Sequence, residues 1–161
     1  MIAIALLMLL AADKAKPAAP PPPPPASIDG LPIGGIARQD LPASGCAAYL
    51  WSVGQTRTLV AMASADPASV RLSIEGRQID VPRTGQQGGG QQGAGQQDAG
   101  GFGFSDVTEY EGDGVKAVLD MTITTRGDLK DGATVPEATL RIERAGKDSI
   151  ILPVMGLIGC V

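Results

Sequence analysis

Residues 69–81 read Ser-Val-Arg-Leu-Ser-Ile-Glu-Gly-Arg-Gln-Ile-Asp-Val, and this run decides the fold class. Val70, Leu72 and Ile74 alternate with Arg71, Ser73 and Glu75; Ile79 and Val81 then resume the alternation beside Gln78 and Asp80. A period of two sends alternate side chains to opposite faces, the pattern of a half-buried strand. Gly76-Arg77 lies between the arms, and Gly at the first central position of a two-residue link suits a type II′ turn. Residues 69–81 are therefore expected to form a β-hairpin. Pro82 has no N–H for a ladder, so it is expected to end the second arm or place it at an edge.

The same alternation extends in both directions. Residues 46–53 and 56–63 flank Gly54-Gln55 as a second hairpin. A strand is expected over residues 104–110, and Val115, Ala117, Leu119, Met121 and Ile123 mark another, with Val118 out of pattern. Ala138, Leu140 and Ile142 mark a further strand, and after a turn at Ala145-Gly146-Lys147 residues 149–154 read as a buried final strand containing Pro153. No window after Ser27 sustains helical periodicity with caps. The class expected is all-β: one antiparallel β-sandwich or small closed barrel of about seven to eight strands.

Three stretches stand outside this pattern. Residues 1–12 are entirely apolar, and as a helix they span roughly 18 Å against the ~30 Å of a bilayer core. That length suits the apolar region of a signal peptide, with Ala11 and Ala12 as small residues at its end, or an N-terminal hydrophobic anchor if it is not cleaved. Residues 13–29 form a proline-rich linker carrying seven prolines, six of them consecutive at residues 20–25. Fixed φ and missing donors favour extended polyproline II there. The β domain is expected over residues 30–161, interrupted at 85–101 by a Gln/Gly tract without an apolar residue larger than Ala. Burial cannot offset the ordering entropy of such a sequence, so a disordered loop is expected.

Cys46 and Cys160 are the only cysteines and lie at opposite ends of the β domain. An even count in a chain that reads as exported points to a disulfide. Its geometry requires Cα atoms within about 7 Å, so the first and last strands should be neighbours. No His occurs, which removes Ser/His and Cys/His catalysis and His-containing zinc sites. A net charge of −4 with scattered basic residues argues against nucleic acid as a partner. The one concentration of carboxylates, Asp106, Glu109, Glu111 and Asp113, lacks EF-hand spacing and reads as a solvated strand with a Gly-Asp-Gly turn. Tyr49 and Trp51 share a strand face, which reads as core. No catalytic, cofactor-binding or metal-ligating set is assigned.

Leader, single disulfide and about eight strands together resemble, in architecture, the small periplasmic lysozyme-inhibitor barrels. That resemblance carries over no residue. The function expected is a non-catalytic periplasmic, secreted or envelope-associated binding or structural module. Its partner would be an unknown protein or envelope component, with membrane contact only through an uncleaved leader. The alternatives are an inhibitor of a secreted enzyme such as lysozyme or a protease and, further off, a carboxylate-dependent hydrolase.

Overall fold

The computed structural model describes residues 19–88, 102–129 and 131–161. The expected leader at 1–12 and most of the Gln/Gly tract lie outside the described residues. The strands are β1 (Ile33–Gly34), β2 (Cys46–Ser52), β3 (Leu59–Ala65), β4 (Ala68–Ile74), β5 (Arg77–Gln87), β6 (Val107–Gly112), β7 (Val115–Thr124), β8 (Gly132–Arg144) and β9 (Ile150–Cys160). From β2 to β9 every strand pairs antiparallel with its chain neighbour, and β9 returns to pair with β2. The result is a closed eight-stranded up-and-down barrel, and closure leaves no long sheet edge. β1 adds a short ninth strand, pairing Ile33 and Gly34 with Ile74 and Ser73 of β4.

The hairpin of residues 69–81 forms, but its turn sits one residue earlier than expected. Ile74 pairs with Arg77, so the link is Glu75-Gly76, with φ of 51° and 76°. Positive φ at both central residues is type I′ geometry, not II′. This register sets Arg71 opposite Asp80, where the guanidinium donates two hydrogen bonds to the carboxylate at 2.7 and 2.8 Å. Shifting the turn to Gly76-Arg77 would lose that pair. The inward rows alternate large and small residues: Leu50, Ala61, Leu72 and Ile79 follow one another across β2 to β5. On the far wall Leu119, Leu140 and Leu152 align. These side chains are almost wholly buried and fill the interior, as an eight-stranded barrel permits.

Several boundaries move. Pro82 neither ends β5 nor lies at an edge: β5 pairs with β4 up to Ser69–Pro82, then continues against β6 from Arg83–Tyr110. Proline falls where the strand leaves one partner, so its missing donor costs no ladder bond. Gly85, Gln86 and Gln87, assigned above to the loop, belong to β5 and face Glu109, Thr108 and Val107. The Gly54-Gln55 hairpin is instead a longer link over residues 53–58. There the Ser52 hydroxyl accepts from the Thr58 N–H and donates to the Thr56 carbonyl. The strand expected over 104–110 begins only at Val107, because Phe104 turns into the core and is 1 % exposed. β9 does not stop at 154 but runs on to Cys160.

The N-terminal segment also joins the folded unit before Gly30. Ile28 and Ile33 enter the core beside Ile74, and the Pro25 carbonyl accepts from the Gly35 N–H. Residues 36–45 then run down the outside of β3 and β2. Ile36 donates to the Leu59 carbonyl, Gln39 accepts from Arg71, and Tyr49 donates to the Asp40 carbonyl. This strap explains why Ala47 and Tyr49 are buried although they face outward. Ile28, Ile33 and Phe104, from outside the eight barrel strands, add their side chains to the same core.

Candidate functional site

The seam where β9 meets β2 is where the sequence placed its one structural commitment. Cys46 and Cys160 are direct register partners with Cα atoms 4.1 Å apart, and their sulfurs are bonded. The bond closes a loop of 114 positions, which in the chain-entropy model stabilises by up to ~5 kcal/mol.

Along the same seam, strand parity sends an unusual set of residues to the outside. β9 reads Ile150-Ile151-Leu152-Pro153-Val154-Met155, apolar at both parities. Ile150, Leu152 and Val154 fill the barrel; Ile151, Pro153, Met155 and Leu157 face outward, with Ile151 62 % and Leu157 45 % exposed. The expectation of a buried final strand is therefore right for one face and wrong for the other. Trp51 of β2 pairs with Met155, and Tyr49 with Leu157. The two aromatic residues do share a face, but the strap covers Tyr49 and leaves Trp51 half-buried at its edge.

A cleft of about 420 Å³ opens beside that tryptophan, lined by Trp51, Arg57, Val135, Pro136, Met155 and Leu157, with Gly156 in its floor. Each wall has a local cause. β2 shifts register against β3 between Leu50 and Trp51, and the 53–58 link brings Arg57 alongside. β8 bulges between Val135 and Ala138, where Pro136 and Glu137 stand against Met155 alone. Gly156 is glycine because a Cβ there would collide with the Tyr49 carbonyl. The Arg57 guanidinium rests on Met155, Nη2 to Sδ 2.8 Å, and has no carboxylate in ion-pairing range among the described residues.

The rest of the wall is different. From β4 to β8 the outward positions carry Arg71, Asp80, Glu109, Lys116, Asp120 and Arg141. Hydrogen bonding and charge from Arg71 hold the Asp80 carboxyl below its usual range. The acidic stretch does not converge: Glu109 stands 4.0 Å from Lys116, Glu111 faces Lys116 in register, and Asp113 occupies a turn with φ 54°. No group of three acidic side chains gathers among the described residues. At the barrel end, Arg144 reaches inward and donates to Glu75 at 2.8 Å, in a cleft that Arg77 and Asp113 also line.

Sequence reasoning missed Arg57, Pro136, Met155 and Leu157. The signal that could have found them is the double parity of β9, since a strand apolar on both faces needs cover on both. Comparison with protein-family models, curated proteins and solved structures finds no match, so the chemistry of this face is read from its residues alone.

Proposed function

We propose that the chain is an exported, non-catalytic binding module that engages a protein or envelope component through the outer face of β2, β8 and β9. One observation carries this reading. Charged side chains stand on the outward positions of β4 to β8, whereas at the β9–β2 seam Trp51, Val53, Ile151, Pro153, Met155 and Leu157 form a contiguous apolar strip. Exposed apolar patches rimmed by polar residues mark interaction sites. The interior supports the same reading, since it is occupied by packed side chains. Charges on the outward positions of β4 to β8 around an apolar interior are the reverse of a lipid-spanning barrel. The disulfide suits an oxidising compartment, in keeping with the export expected from residues 1–12.

The test compares capture from an envelope fraction by the wild-type chain and by an Ile151→Glu/Leu157→Glu variant of equal melting temperature. Both positions are exposed, so the fold should tolerate the changes. The reading predicts that a defined set of proteins is held by the wild type and lost by the variant. Identical captured sets would remove the seam as the working surface.

A further inference from the structure

The seam offers more than an apolar strip, because it combines an aromatic wall, an unpaired cation and a length. Arg71, Arg126, Arg141 and Arg144 each stand within 4 Å of a carboxylate. Arg38, Arg57, Arg77 and Arg83 have none among the described residues, and of these Arg57 is the one that lines the cleft beside Trp51, where it lies exposed on an apolar thioether. A guanidinium at the rim of an apolar cleft can donate two hydrogen bonds to a partner's carboxylate, and Trp and Arg are both among the residues that dominate interface energetics. The outward side chains of β9 from Ile151 to Leu157 extend for ~20 Å at the usual rise of a strand. The strip is thus much longer than the cleft and open along its outer side, a shape for an extended chain and not for a compact small molecule. Two of the barrel's four register shifts frame the cleft and re-aim the side chains that line it.

We infer that the seam receives an extended segment of a partner protein, with a large apolar side chain against Trp51 and a carboxylate beside Arg57. This rests on the binding-module reading above and adds the chemistry of the partner. The apolar group enters between Trp51, Met155 and Pro136. The acid next to it, or one alternation along the segment, pairs with the guanidinium, and the flanking residues lie along Ile151, Pro153 and Leu157.

Trp51 is the chain's only tryptophan, so its fluorescence reports on this cleft alone. A random decapeptide display library is panned on the full chain, and the enriched peptides are then titrated against Trp51 emission. The expected result is enrichment of Leu, Ile, Phe or Trp at one or two positions from Asp or Glu, with a shift in Trp51 emission on binding. Arg57→Gln should weaken binding about tenfold, the size of a lost charge-assisted hydrogen bond. Arg57→Lys should restore most of it, and Glu→Gln in the peptide should match the Arg57→Gln loss. Leu157→Glu should abolish binding, with the melting temperature of every variant unchanged.

Peptides bound equally well by Arg57→Gln, yet lost with Leu157→Glu, would overturn the acidic partner while leaving the apolar face as the working surface. Absence of enrichment, or enriched peptides insensitive to both changes, would overturn the inference and the binding-module reading together. Saturable binding of octanoate with the same dependence on Arg57 would overturn a protein partner, as would a concentration-dependent shift in Trp51 emission caused by dimerisation without peptide.

Discussion

Tyr49 and Tyr110 are the chain's two tyrosines, and the barrel treats both as groups that must stay protonated. Tyr110 points inward from β6, fully buried; burial pushes its phenol up to about 12, against smaller opposing pulls from Arg83 and the Thr108 hydroxyl. Tyr49 lies under the strap and is raised by burial and by the nearby Asp40. The folded state therefore holds these protons after the unfolded chain has released them. Stability should be complete below about pH 10 and fall as pH rises from there toward 12. Absorbance near 295 nm at pH 10.5 should accordingly show less tyrosinate in the native protein than after denaturation at the same pH, where each phenol is about three-quarters ionised. Two phenols titrating normally in native protein would mean that neither is buried as described. The shared face of Tyr49 and Trp51 was legible as strand parity. Which of the two is covered was not, because residues 36–45 have no periodicity from which a strap over β2 and β3 could be read.

Elements were legible wherever apolar alternation was clean and blurred wherever glycine or proline carried the chain. The 69–81 hairpin was readable from its two arms, but the turn was not: type I′ and II′ links both use Gly76, and only the Arg71–Asp80 pairing separates them. Gly76 has φ of 76° with open space around its Cα, so Gly76→Ala should cost about 1–2 kcal/mol through backbone strain alone, measured by denaturant unfolding. The second half of β9 was hidden by Gly156 and Gly159, residues that strands usually avoid. At Gly156 the reason is contact: Gly156→Ala should destabilise more than Gly76→Ala, by ~2–3 kcal/mol, because the Tyr49 carbonyl must move out of a paired strand. Equal losses at the two sites would contradict the close approach of β9 to β2. The Gln/Gly tract divides in the same way. Removing residues 89–101 as a block should shift the melting temperature by no more than a few degrees, since loop length enters only logarithmically. Extending the deletion through Gly85, Gln86 and Gln87 should cost clearly more, because those residues hold β5 to β6.

At the scale of the molecule, alternating strands cannot distinguish a sandwich from a barrel, since both bury one face of each strand. The choice is made by pairings distant in sequence, β9 with β2 above all, and the cysteines were the only residues that announced it. Double apolar parity in β9 was visible too, but it marks a need for cover without saying what supplies it. Strap and partner face share the work: residues 36–45 cover one stretch of the seam, and the stretch around Trp51 stays open. The account therefore stands on the closed seam, held by the Cys46–Cys160 disulfide. Cys46→Ser should destabilise by ~2–5 kcal/mol, and the difference should largely vanish once the wild type is reduced. The most direct measurement is a thiol titration, under denaturing conditions, of full-length protein trapped with alkylating reagent as it leaves the cell. The account predicts no free thiol, with a peptide linking Cys46 to Cys160 after digestion. Two free thiols per chain would contradict both the covalent closure of the barrel and the exported setting in which its open face would find a partner.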